Sequence, residues 1–161
     1  MLRLVPQGLH RVLLRVAHAV RLRVFRIIRP HLRSATVIGV ASDQRVLLVR
    51  LSYGGEGWSF PGGGIGRGEQ PEIAARRELW EEAGCRADGL DLVASFEEEV
   101  LGTRSTAYLF AGNLLEMPRA DGREVLEARL FPLHSLPEPL NRRTRRRLEL
   151  WQAQRGRVRA N

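Results

Sequence analysis

The sequence predicts an α/β protein, and three observations carry that reading. β-rich runs at 35–41, 46–51, 92–100, 105–112 and 125–132 are interleaved with helical patterns at 71–83 and 141–154. The 161 residues suit one domain with a buried core that needs neither disulfides nor structural zinc. Hydrophobic residues make up 43% and charged residues 27%, an ordinary globular balance.

Composition excludes several classes of function. The single cysteine, Cys85, rules out a disulfide framework and a multi-cysteine metal site, and points to a reducing, cytoplasmic setting. No apolar run is long enough to span a membrane as a helix. The start lacks the pattern of a secretory signal. The formal charge is +8, and every basic residue is arginine. Residues 1–33 hold eight arginines and no acid, residues 34–141 ten arginines against seventeen acids, and residues 142–161 eight arginines and one glutamate. An acidic body between basic ends is no duplex nucleic-acid surface, which needs clustered positive charge. It suits the holding of a cation. The chain divides into a basic N-terminal segment (1–33), a central domain (34–154) and a basic tail (155–161).

Each element has a local cause. Leu9, Val12, Leu13, Val16, Val20, Val24 and Ile27 recur at three- and four-residue steps, so residues 7–29 read as one amphipathic helix between Pro6 and Pro30. Its arginines and apolar face suit an anionic membrane surface, but such faces are usually buried on their own domain or in a homodimer. The runs 35–41 and 46–51 flank Ser42-Asp43-Gln44-Arg45, a hairpin turn. Residues 54–68 form a glycine-rich loop. Residues 71–83 make a helix with proline in its first turn and Gly84 just past its end. An arginine-rich helix closes the domain at 141–154, and the residues after it fray.

The chemistry concentrates in Arg77-Glu78-Leu79-Trp80-Glu81-Glu82 and the loop before it. Successive helical residues rotate by about 100°. Glu81 and Glu82 therefore lie at about −60° and about +40° from Glu78, and three carboxylates share one arc. Like charges at this spacing repel. The arc is either a solvated acidic face or a cation site. Oxygen-only ligands favour Mg²⁺ or Mn²⁺ over zinc. Upstream, Phe60-Pro61-Gly62-Gly63-Gly64 lets the main chain approach a ligand and present N–H groups to anionic oxygens. Trp58 and Phe60 suit stacking on a base, or partial burial in the core. Trp80 lies off the carboxylate arc, and Tyr108 and Cys85 suit packing. His10, His18, His31 and His134 are scattered and form no metal set.

Gly63, Glu69, Arg77-Glu78-Leu79, Glu81-Glu82 and Gly84-Cys85 together resemble the Nudix box of the Nudix hydrolase family. Every fixed polar and glycine position agrees in spacing, and Cys85 replaces the usual bulky aliphatic residue. The similarity covers about 35–140, and the N-terminal helix lies outside it. The resemblance implies an α/β/α sandwich with a mixed sheet, the box forming loop–helix–loop, with Ala75, Leu79 and Ala83 packed on the sheet. It implies hydrolysis of a diphosphate bond in a nucleoside diphosphate-linked or nucleoside triphosphate substrate. By position, Glu78, Glu81, Glu82 and the Gly63 carbonyl ligate Mg²⁺ or Mn²⁺, Gly62 and Gly64 belong to the substrate loop, Arg77 orients the glutamates and Glu69 braces Arg77. A general base in such proteins is a box glutamate or a distant carboxylate. The distant candidates are Glu124, then Glu127, then one of Glu97-Glu98-Glu99. The sequence markers of the NADH, coenzyme A, ADP-ribose and dinucleoside polyphosphate subgroups are not found, so the substrate stays general. A non-catalytic nucleotide sensor on the same fold is the other function class; the intact glutamate set favours the enzyme.

Overall fold

The structure, a computed structural model, describes residues 32–52, 57–100, 103–120, 122 and 124–160, without the side chains of 158–160. The helix expected over 7–29 lies outside the described residues. Seven strands and two helices follow in the order β1 (Leu32–Val40), β2 (Val46–Leu51), β3 (Trp58–Ser59), β4 (Gly62–Gly64), α1 (Pro71–Ala83), β5 (Ala87–Val100), β6 (Thr103–Leu114), β7 (Val125–Phe131) and α2 (Arg142–Ala160). The sheet is mixed. β1 runs parallel to β6 from Leu32↔Ser105 to Val40↔Asn113, while β5 and β6 form an antiparallel hairpin.

The turn between β1 and β2 forms as expected. Asp43 accepts hydrogen bonds from the Arg45 amide (3.2 Å) and Nε (2.7 Å), and Gln44 takes the left-handed conformation at φ 68°. The two strands pair only at Val40↔Val46. Beyond that point they diverge, because the start of β1 turns to β4, pairing Ser34, Ala35 and Thr36 with Gly64, Gly63 and Gly62. β2 takes β3 and β7 as partners instead. The short strands β3 and β4 thus occupy part of what sequence reads as loop.

Each face of the sheet carries one helix. Ala74, Ala75, Leu79 and Ala83 of α1 are buried with Ala35, Val37, Leu47 and Val49. On the other face, Leu148 and Trp151 of α2 are buried with Ile38, Val46, Leu48 and Leu109. This is the α/β/α sandwich that the resemblance implied. Truncating a core side chain such as Leu79, fully enclosed here, costs about 2–5 kcal/mol.

α1 ends where glycine permits: Gly84 takes the left-handed conformation at φ 60° and returns its N–H to the Trp80 carbonyl (2.9 Å). α2 runs past the expected stop at 154. At that point Trp151 is buried, and Arg155 stacks over the Trp151 ring at 4.7 Å and donates to Gln44 (3.0 Å). β5 also starts earlier than residue 92, with register shifts between Asp88 and Asp91 and between Leu92 and Ala94 that break the alternation a strand shows in sequence. Among the described residues no helix is long and apolar enough to cross a membrane.

Candidate functional site

Two segments build the site: β4 with its following loop, and the face of α1 that looks toward it. Glycine is what brings them together. A Cβ on Gly62 would stand 2.4 Å from the Ala35 carbonyl oxygen, so only glycine lets β4 lie this close to β1. The Gly62 N–H, turned to α1, donates to Glu82 Oε2 (3.0 Å). Next along the strand, the Cα of Gly63 faces the Glu78 carboxylate.

Arg77 sits at the centre of the acidic residues. Its Nε and Nη2 donate to the two oxygens of Glu69 (3.0 and 3.1 Å), a bidentate pair. Nη1 donates to Glu78 Oε1 (2.7 Å) and Glu81 Oε2 (3.1 Å), and Nη2 also reaches the Gly64 carbonyl (3.0 Å). Glu69 in turn accepts from the Gly66 amide (2.7 Å). One guanidinium therefore ties the loop, the helix entrance and two helix carboxylates into a single network.

The electrostatics of this network are unbalanced. Arg77 and the Gly66 amide hold the Glu69 carboxyl below its ordinary range. Burial raises that of Glu78 despite Arg77. Burial pushes Glu82 up to about 8, opposed by the Gly62 N–H and assisted by the charges of Glu78, Glu124 and Glu81. Ionising Glu78 and Glu82 together is thus opposed by burial and by their mutual repulsion, a strain that a cation relieves.

The carboxylates are gathered without being converged. Among the described residues no three acidic, histidine or cysteine side chains stand close enough to hold an ion as they are. Arg77 engages one oxygen each of Glu78 and Glu81, and Gly62 one of Glu82. The donor set consists of hard oxygens, and these hydrogen bonds engage one oxygen of each carboxylate. Glu78, Glu81 and Glu82 therefore fit a dication such as Mg²⁺ in chemistry and number.

The remaining sequence candidates separate. Glu124 precedes β7, its carbonyl accepting from the Ser52 amide (2.9 Å), and its charge acts on Glu82. Glu127 is occupied by ion pairs with Arg50 and Arg129. Glu97 accepts from the Thr106 hydroxyl (2.6 Å). Glu98 faces α2 and pairs with Arg147 (2.9 Å). Of the two readings of Trp58 and Phe60, stacking surface or partial core, their burial favours the second. Trp58 is 8% and Phe60 5% exposed, both packed in the α2-side core, with Trp58 edge-on to Phe131 at 4.9 Å. Trp80 is exposed on the outer side of α1, Tyr108 is partly buried beneath Arg33, and Cys85 is fully buried.

Sequence reasoning missed the far wall of the site. A cavity of about 840 Å³ opens beside Gly62, Gly63 and Gly64 and extends to Glu98, Arg143 and Arg147. Arg147 is buried, and burial lowers its proton affinity while Glu98 opposes that shift. Partners 49 residues apart leave no local signal.

Comparison with known proteins identifies the family of this fold. The NUDIX domain profile matches residues 30–152. The RNA pyrophosphohydrolase of Psychrobacter cryohalolentis is 44% identical over 62 residues, 38% of this chain and 36% of that protein. A MutT-like protein of Streptomyces ambofaciens is 36% identical over 75 residues, 45% of this chain and 48% of that protein. The chain thus spans about a third to a half of the length of these curated relatives. The crystal structure of a MutT NUDIX hydrolase from Burkholderia pseudomallei superposes with a TM-score of 0.67 at 25% identity, covering 75% of this chain and 98% of that one. With the profile spanning well over half of the chain and the same fold around the box helix, this protein belongs to the Nudix family.

Proposed function

We propose that the protein is a Mg²⁺-dependent hydrolase, with Mn²⁺ able to substitute, that cleaves a diphosphate bond in a nucleoside diphosphate-linked or nucleoside triphosphate substrate. The observation that carries this reading is the Arg77-centred network of Glu69, Glu78 and Glu81, beside which the Gly62 amide of the glycine strand holds Glu82. Names of the relatives, which include RNA pyrophosphohydrolase and MutT-like protein, point to the same bond class.

Glu78, Glu81 and Glu82 would hold the metal, joined by the Gly63 carbonyl. When bound there, Mg²⁺ would supply neutralisation of the diphosphate charge and Lewis-acid activation. The protein's own residues do the rest. Arg77 fixes the orientation of Glu78 and Glu81 through charge-assisted hydrogen bonds, and Glu69 fixes Arg77. Gly62 holds Glu82 by its N–H, and Gly64 anchors the loop to Arg77. Glu124, the acid outside the box whose charge acts on Glu82, takes the proton from the attacking water.

Release of phosphate or pyrophosphate across a nucleotide panel, with Mg²⁺ and with Mn²⁺, tests this directly. Wild type turns over at least one diphosphate-containing substrate, Glu82→Gln loses several orders of magnitude, and Glu124→Gln loses about 10²–10⁴-fold. Equal rates in wild type and Glu82→Gln would remove the assigned role.

A further inference from the structure

Four of the five large hydrophobic side chains exposed among the described residues lie on α1 or on the segment tied to its end. Ile73 and Trp80, each 57% exposed, stand seven residues apart on the outer side of α1, away from the sheet. Leu115 and Met117 belong to the segment that follows β6. There the Arg119 amide donates to the Ala83 carbonyl (2.8 Å) and the Leu115 amide to the Arg86 carbonyl (3.0 Å). Charges beside these apolar residues are paired within the protein: Glu72 with Arg76 (2.8 Å), Glu81 with Arg77 (3.1 Å) and Glu116 with Arg86 (2.7 Å). Exposed apolar patches mark interaction sites, and one rimmed by neutralised pairs fits an apolar partner rather than a polyanion.

The chain itself supplies such a partner. Leu13, Val20 and Ile27 repeat every seven residues on the apolar face of the helix expected over 7–29, the same spacing as Ile73 and Trp80. The chain also enters the domain at the right place. Ala35 of β1 pairs with Gly63, which abuts Glu78, and Thr36 pairs with Gly62, which donates to Glu82. β1 and α1 therefore run in the same direction, and Leu32, the first residue of β1, lies toward the end of α1 that carries Ile73. The stretch from Ile27 to Leu32 spans at most about 18 Å, against a helix diameter of about 10–12 Å. A short tether gives an effective concentration on the order of millimolar, which favours the segment over a second copy of the chain. Residues 1–33, with eight arginines and no acid, also meet a body of ten arginines and seventeen acids over 34–141. We propose that residues 7–29 dock along the outer side of α1 as an antiparallel helix, with Val20 against Trp80 and Ile27 against Ile73.

Cysteine pairs in the full chain test this, since the native Cys85 is buried. Under mild oxidation at low protein concentration, Val20→Cys/Trp80→Cys closes an intrachain disulfide, read by intact mass and gel mobility. His18→Cys/Trp80→Cys, with its cysteine on the opposite side of the predicted helix, closes at least tenfold less. A second measurement needs no cross-link. Trp58 and Trp151 are buried, so acrylamide quenching of tryptophan emission reports mainly on Trp80. Val20→Asp/Ile27→Asp raises the quenching constant at least twofold over wild type, and in a Trp80→Phe background the same pair of substitutions changes nothing. Equal disulfide yields from the two cysteine pairs, or equal quenching of wild type and Val20→Asp/Ile27→Asp, would overturn the proposal. Disulfides formed mainly between chains would overturn it in favour of a second copy. Shielding of Trp80 that appears only with phosphatidylglycerol vesicles would overturn it in favour of a lipid surface.

Discussion

Gly63 lies against the Glu78 carboxylate so closely that a methyl group on its Cα would stand 2.5 Å from Oε1 and 2.7 Å from Oε2. The obstruction is the far end of a flexible side chain, so Gly63→Ala folds and Glu78 yields. If Glu78 holds the metal as proposed, a displacement of this size costs about 100-fold in kcat/KM. Gly62→Ala differs, since its methyl group meets the backbone at Ala35 and Thr36. That variant loses about 1–3 kcal/mol of stability. Thermal melts and steady-state kinetics on the two variants separate the effects; the reverse pattern would refute this division of labour.

Arg77→Lys keeps the charge and loses the geometry. Five hydrogen bonds radiate from the guanidinium to Glu69, Glu78, Glu81 and Gly64. An ammonium has three donors and no planar fork. Turnover falls about 10–100-fold, with higher Mg²⁺ needed for half-activation, as for other residues that orient metal ligands. A magnesium titration of activity that matched wild type would show that charge alone suffices.

Glu82→Gln sets stability against function. The side-chain amide introduced by this substitution still accepts from the Gly62 N–H, but the buried charge and its repulsion with Glu78, Glu81 and Glu124 are gone. In EDTA at pH 8 or above the variant melts a few degrees higher than wild type. Added Mg²⁺ raises the melting temperature of wild type and leaves that of the variant nearly unchanged. A destabilised variant in EDTA would mean that the acidic cluster is not strained.

The Cys85 thiol supplies a pH-dependent reading of the fold. Burial, then the charge of Glu116, raise its pKa from 9.0 to about 11. Its Sγ–H donates to the Ala83 and Glu116 carbonyls at 3.3 and 3.5 Å. Unfolded, the thiol ionises near its ordinary value; folded, it keeps its proton. The stabilisation is therefore complete below about pH 9 and lost as pH rises through about 11. Cys85→Ala removes that alkaline slope from a denaturant series. Labelling of the native thiol at neutral pH tracks opening of the box helix, and rapid labelling of native protein would contradict the burial.

Legibility from sequence follows range. α1 is readable to the residue, because Pro71 and Gly84 mark its ends by local backbone chemistry. The box and the turn at Ser42–Arg45 are local in the same sense. β3 and β4 are not readable, since two- and three-residue strands show no period and glycine has no strand preference; β1 and β2 impose them. For Trp58 and Phe60, beside a glycine-rich stretch, sequence leaves base stacking and partial burial both open, and only the packing of α2 and Phe131 buries them. The Glu98–Arg147 pair, and with it the arginine wall, exists only after β5 and α2 meet.

Binding of Mn²⁺ followed by paramagnetic relaxation of water protons tests the central claim most directly. Wild type binds the ion with a stoichiometry of one or more, Mg²⁺ competes, and Glu78→Gln/Glu82→Gln loses that binding while keeping the wild-type fold by circular dichroism. Equal Mn²⁺ binding by wild type and the folded double variant would show that the carboxylates of α1 are not the metal site.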